Sequence, residues 1–184
     1  MINNENANVE LNKKTNTMEK FIMIIGLEGA GRKSISKLLN ESLEEYTIEY
    51  FRKLYKFTYN NTKFEIFKAG METRYFEEPD LWNNYCTQCQ GIIFVVDSSD
   101  TFLFNSACEE LTWLLNQAKL NNKPLLIFAN KSDISFYRLS DISEYLKLNS
   151  IVKDRKSMIL FSSVVENTGI TEGIAWIINN LNIK

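Results

Sequence analysis

The chain contains no histidine. Imidazole acid/base catalysis, Ser-His-Asp and Cys-His nucleophile systems and histidine-containing zinc sites are therefore excluded from its chemistry. Only 2 prolines and 7 glycines occur in 184 residues, which rules out a collagenous, proline-rich or low-complexity chain, and 12% aromatic residues are too many for general disorder. An excess of either charge is also missing: 21 basic against 23 acidic residues give a formal net charge of -2. With no bulk attraction for polyanions, nucleic acid is not an expected partner and any phosphate recognition has to be local. Apolar runs such as 21–25 and 92–96 are strand-sized, far short of the roughly 20 residues that cross a bilayer.

The three cysteines, Cys86, Cys89 and Cys108, are an odd number. That usage fits a reducing, intracellular compartment better than a secreted disulfide framework. Cys86-x-x-Cys89 has no second pair to complete a zinc site, so both thiols are expected to be reduced packing residues. The first 20 residues hold six asparagines. They lack the apolar core of a signal peptide and the arginines of a transit peptide. Residues 1–19 read as a polar tail, flexible or bound to a partner, ahead of one domain at 20–184. Ile2 stands where myristoylation needs glycine, so no myristoyl anchor is expected if Met1 is the true start.

Hydrophobic residues make up 45% of the chain, enough for one substantial core. Short apolar runs alternate with segments of helical period, the pattern of an α/β fold with a mainly parallel sheet. Residues 21–25 read as a first strand entering GLEGAG, followed by a helix with Ile35, Leu38 and Leu39 on one face. Alternation over 50–59 and 63–67 around Asn60-Asn61 predicts a hairpin and one antiparallel edge strand. The continuous runs 91–97 and 124–130 are central strands, and 158–161 is the last. Phe104, Cys108, Leu111, Leu115 and Ala118 fall at helical spacing, as do Ile170, Ile174, Ile177, Ile178 and Leu181. Asp141 with Glu144 suggests a capping pair for a helix over 142–148.

Asn130-Lys131-Ser132-Asp133 directly follows an apolar strand, at the carboxyl edge where open α/β sheets bind ligands. A carboxylate there can accept two hydrogen bonds from the N1 and N2 edge of guanine, a donor pair that adenine lacks. The asparagine can fix base and loop, and the lysine stem can lie along the ring. Gly26, Glu28, Gly29, Ala30 and Gly31 belong to a glycine-rich turn between strand and helix, where backbone N–H groups favour an anion. The phosphate-loop pattern G-x-x-x-x-G-K-[ST] matches at Gly26 and Gly31 and then departs. Arg32 stands at the Lys position and Lys33 at the Mg²⁺-binding Ser/Thr position. A one-residue bulge would instead present Lys33 and Ser34; the ungapped register keeps strand and helix in phase with the motif.

FIMIIGLEGAG, FEIF, LWNNY, GIIFVVDSSD, LLIFANKSD and EGIAWI together resemble a small GTPase of the ADP-ribosylation-factor-like (Arf-like) family across residues 20 to 182. The resemblance implies a P-loop small-GTPase fold with about six strands, GTP or GDP as ligand, and partner contacts through 46–85, including Trp82 and Tyr85, and the tail. Thr73-Arg74-Tyr75 with VVDSSD leans toward the ciliary branch linked to the Bardet-Biedl coat complex, and cytoplasmic or ciliary residence follows. A mitochondrial address without a visible presequence stays open.

Set beside the family pattern W-D-x-G-G-Q, the chain reads Phe67-Lys68-Ala69-Gly70-Met71-Glu72. The resemblance therefore implies Lys68 for the Mg²⁺-supporting Asp, Met71 for a glycine that meets the γ-phosphate, and Glu72 for the Gln that orients water. The first-switch threonine position falls near Glu49, with Thr47 the substitute if the alignment slips. Ser163-Val164 stands at the last guanine motif. Lys33 and Lys68 occupy both metal-ligand positions, so two ammonium groups could supply the charge of Mg²⁺. The expectation is a guanine-nucleotide site without Mg²⁺ and without a catalytic residue. The alternatives are a nucleotide-free subunit of a larger assembly, or a working GTP/GDP switch.

Overall fold

The computed structural model describes residues 20–40, 44–48, 52–68 and 79–181, with the backbone alone at 44–48, 52–54, 68 and 79–81. One sheet runs through it. Its strands are β1 (Lys20–Gly26), β2 (Glu44–Ile48), β3 (Arg52–Tyr59), β4 (Thr62–Lys68), β5 (Gly91–Asp97), β6 (Leu125–Asn130) and β7 (Ser157–Ser162), in the order β2-β3-β4-β1-β5-β6-β7. Only β3 runs against the rest; it is the one antiparallel strand the alternating pattern predicts, but it lies inside the sheet and not at its edge. The sheet has seven strands rather than about six, because β2 pairs outside β3 and forms the edge.

The helices are α1 (Arg32–Leu39), α2 (Pro79–Gln88), α3 (Phe104–Leu115), α4 (Leu139–Tyr145), the short α5 (Leu148–Ile151) and α6 (Ile170–Asn179). All residues of β5 and β6 are buried, so both faces of the sheet are covered, and strand alternation divides the core in two. Met23, Ile25, Ile92, Phe94 and Val96 point to one face and meet Trp82, Cys86, Phe104, Leu111 and Ile142. Ile22, Ile24, Ile93 and Val95 point to the other and meet Ile35, Ile170, Ile174 and Ile177. Each such side chain contributes about 1.5–3 kcal/mol by leaving water.

Asn60 and Asn61 have φ of 47° and 55°, the left-handed pair of a two-residue type I′ hairpin. That turn sets the register Tyr59↔Thr62 and places Phe57 opposite Phe64, ring centroids 4.8 Å apart. Four local expectations need correction. Leu38 is 41% exposed, on the solvent side of α1. Ala118 lies beyond α3 in a separate 3-10 turn. Leu181 follows the end of α6, though it is buried. Asp141 is the third residue of α4 rather than its N-cap: its carboxylate accepts the Arg138 N–H at 3.1 Å, so the helix starts at Leu139. It stops at Tyr145 because Lys147 turns left-handed (φ 52°), which puts Leu148 at the start of α5.

Candidate functional site

Four loops meet at the carboxyl ends of the central strands. The turn after β1 leads directly into α1, which begins at Arg32 with no residue inserted after Gly31. Gly29 and Gly31 take φ of 79° and 98°, a region L side chains seldom enter. At Gly31 glycine is required twice over, since a Cβ would lie 2.2 Å from the amide nitrogen of Asn130. That amide donates from Nδ2 to the Ala30 carbonyl at 2.8 Å, while Asn130 Oδ1 accepts from Ser162 Oγ at 3.2 Å. Asn130 is 2% exposed. It is therefore a buried strut between the glycine loop and the ends of β6 and β7, with a donor and an acceptor both in use.

The following residues make the second cluster. Asp133 is exposed and its Oδ1 accepts from Ser163 Oγ at 2.6 Å. Ser163 itself is fixed by reciprocal backbone bonds with Thr168, at 3.1 and 3.0 Å. Val164, half-buried, follows at the same rim. The final loop therefore lies against Asp133 and orients a solvent-facing carboxylate that retains acceptor capacity for a ligand. Lys131 has left-handed backbone (φ 62°) and its Nζ meets Asp97 Oδ2 at 2.6 Å. Burial alone would raise the Asp97 carboxyl pKa, but bonds from Lys131 and from Ser99 outweigh it and hold the group below the usual carboxylate value.

The phosphate end differs. The Arg32 guanidinium passes the start of the glycine loop and donates from Nη1 to the Phe67 carbonyl near the end of β4. Lys33 is exposed on α1 and sets its ammonium 3.7 Å above the centre of the Tyr55 ring on β3. The side chain expected at the metal position is thus engaged with the hairpin. Ser34, the alternative ligand, is exposed on the next position of α1. Lys68 is the last residue of β4, and the sheet register places its backbone beside Gly26. Glu28 is exposed at the loop. Thr47 lies on β2 opposite Lys53, and Glu49, Gly70, Met71, Glu72 and the tail lie outside the described residues. Lys33 and Lys68 stand at the two positions where the resemblance places metal-supporting oxygen donors, and an ammonium cannot donate an electron pair to a divalent cation.

No motif in the sequence singles out Asp97, Ser99 or Ser162. The available signal was the charge ending an otherwise apolar strand, GIIFVVD, since a carboxylate at the edge of a fully buried strand needs a partner. Cys86 and Cys89 are buried free thiols, and Cys89 Sγ donates to the Gly91 carbonyl at 2.9 Å. Desolvation pushes them up to about 12 and about 11, so neither is a nucleophile at neutral pH. Trp82 is buried, stacked on Trp113 and edge-on to Phe67, and Tyr85 is half-buried against Phe67.

Residues 7–181 match the ADP-ribosylation factor family. Among similar curated proteins, ADP-ribosylation factor-like protein 1 of Saccharomyces cerevisiae is 33% identical over 165 residues, 88% of this chain and 87% of that protein. ADP-ribosylation factor J of Dictyostelium discoideum is 33% identical over 168 residues, 90% of this chain and 87% of its own length. In fold, the chain is similar to the Arl6 (BBS3) small GTPase of Trypanosoma brucei, solved with the nucleotide analogue GppNp. The TM-score is 0.67 at 24% identity, covering 87% of this chain and 95% of the other. The α/β sheet, its one opposed strand and the glycine loop at its carboxyl edge are those of a small GTPase, and the chain belongs to the ADP-ribosylation factor family.

Proposed function

We propose that this chain is a guanine-nucleotide-binding member of its family that holds GTP or GDP without Mg²⁺ and with little or no hydrolysis, and acts through protein partners. The observation that carries the reading is the coupling of Asp133 to Ser163 and of Asn130 to Ala30. The base-reading loops are tied to one another and to the loop that would hold phosphate, a preorganised arrangement with its buried polar groups in use. In keeping with that reading, the positions that in the family hold metal and orient water carry Lys33, Lys68 and Glu72. An anionic Glu72 near a γ-phosphate would repel rather than assist the transition state.

For Lys33 to serve the phosphates it must leave Tyr55. A cation–π contact at an exposed site is worth about 0.5–1 kcal/mol and a single exposed ion pair about 0.2–1 kcal/mol net, so it is the several negative charges of a di- or triphosphate together that would draw Lys33 from the ring. The second reading, a nucleotide-free subunit of a larger assembly, is favoured by Arg32 being engaged with Phe67 and Lys33 with Tyr55. Partner surfaces are proposed along 46–85 and the tail, in a cytoplasmic or ciliary setting.

The two readings separate in one experiment. The gently purified protein is denatured with acid, with and without earlier EDTA treatment, and the released nucleotide is identified by ion-exchange chromatography. Stoichiometric GTP or GDP that survives EDTA supports the metal-free site. A folded protein that releases nothing and shows no thermal shift with millimolar GTP supports the scaffold. The double variant Lys33→Thr, Lys68→Asp is expected to gain Mg²⁺-dependent binding, and a wild type that already needs Mg²⁺ overturns the lysine substitution.

A further inference from the structure

We propose that Asp97, supported by Ser99, is a positioning residue for the guanine base: it holds the Lys131 ammonium so that the lysine stem is fixed before nucleotide arrives. The inference rests on the guanine-binding reading above. Asp97 ends β5 and pairs in register with Asn130, the last residue of β6, which puts Lys131 immediately beyond the end of that neighbouring strand. The carboxylate uses both oxygens. Oδ2 meets Lys131 Nζ at 2.6 Å, and Oδ1 accepts the Ser99 N–H at 3.0 Å and the Ser99 hydroxyl at 2.6 Å. With the Asp97 residue 8% exposed, its carboxylate is a fixed anchor rather than a mobile surface charge.

A free lysine side chain loses about 1.5–2 kcal/mol of rotamer freedom on being ordered. At Lys131 the ion pair imposes much of that order in the absence of ligand, so less remains to be lost when a base packs along the stem. The pairing also settles an electrostatic conflict. Asp97 lines the same small cleft as Leu27 and Ala30 of the glycine loop, where an uncompensated carboxylate would oppose an incoming phosphate. Lys131 cancels that charge and presents its methylenes, not its ammonium, to the ring.

The test uses the full chain and the variants Asp97→Asn, Ser99→Ala, Lys131→Met and the Asp97→Asn, Lys131→Met double. Affinities for guanosine and for GDP are measured by calorimetry and ligand-observed NMR. In ligand-free protein, acylation of Lys131 by a water-soluble succinimidyl ester is followed by peptide mass spectrometry. Asp97→Asn is expected to weaken guanosine and GDP by the same factor, about tenfold, the upper end for freeing one ordered side chain. Lys131 acylation should quicken several-fold, and the double variant should bind no worse than Lys131→Met alone. Ser99→Ala, which leaves the ion pair in place, should show the same pattern at roughly a third of the size and keeps the test open if Asp97→Asn fails to fold.

Unchanged guanosine affinity in Asp97→Asn, loss for GDP but not guanosine, additive losses in the double variant, or Lys131 acylated in the wild type as fast as exposed Lys153 would each overturn the clamp. A wild type that binds neither guanosine nor GDP overturns the guanine reading and the clamp's role together. Binding that the variants do not move overturns the clamp alone.

Discussion

On the proposed guanine-binding reading, base selectivity would turn on Asp133, a single exposed carboxylate held in place by Ser163. Guanine offers N–H donors at both N1 and N2, and a carboxylate accepts from both. Asparagine would keep one acceptor and add a donor, the complement of xanthine, which has a carbonyl oxygen where guanine has its amino group. Asp133→Asn is therefore expected to weaken GDP by roughly 1.5–3 kcal/mol, about 10- to 100-fold, while strengthening xanthosine diphosphate. Competition titration reads both changes, and parallel losses for the two nucleotides would contradict the assignment. Asn130 acts differently: it is buried and touches loop backbone, so its loss should lower stability as well as affinity.

The strand–loop–helix unit can be probed through two glycines whose backbones look alike and whose surroundings differ. Gly29 has φ 79° with nothing within 4 Å of a notional Cβ, whereas at Gly31, φ 98°, the Cβ would strike Asn130 Nδ2. Gly29→Ala should cost only the left-handed backbone penalty, about 1–2 kcal/mol. Gly31→Ala should cost that plus the Asn130–Ala30 bond, in all about 2–5 kcal/mol, and abolish nucleotide retention. Equal denaturation midpoints for the two variants would mean that Asn130 is not the strut described. The β3–β4 hairpin is joined to the start of α1 by Arg32 to Phe67 and Lys33 to Tyr55. Basic residues at the start of α1 thus fasten the hairpin that lies beside β1 in the sheet.

Stability of the whole molecule should depend on pH at two limbs. Cys86 and Cys89 hold their protons to about 12 and about 11 when folded, against 9.0 for an unburied thiol. Above pH 9 the unfolded chain releases those protons while the native one keeps them, so the unfolded state binds fewer and stability falls as pH rises. At the acid end, Asp97 is held below 3.8. The unfolded state takes up that proton first, so the stability Asp97 contributes is present above this value and lost as pH drops past it. Melting temperature against pH should show both limbs, and replacing both thiols with alanine should flatten the alkaline one. A native protein whose Cys86 and Cys89 alkylate readily at about pH 8 would contradict the burial.

Local patterning determined much of this protein. Alternation and continuous apolar runs located β1, β3–β7 and the direction change at Asn60-Asn61, because strand period and turn chemistry act over a few residues. NKSD marked the loop proposed to read the base because it follows a fully buried strand and so must emerge at the sheet's carboxyl edge. The edge strand β2 was not legible: EEYTI carries little apolar alternation, and its pairing to β3 defines it. Nor was the placement of Lys33 over Tyr55, Arg32 on Phe67 or Lys131 on Asp97. A sequence fixes which long cationic side chains stand near the site. Which partner each one reaches depends on groups brought alongside by strand order and register, at separations along the chain where no local pattern operates.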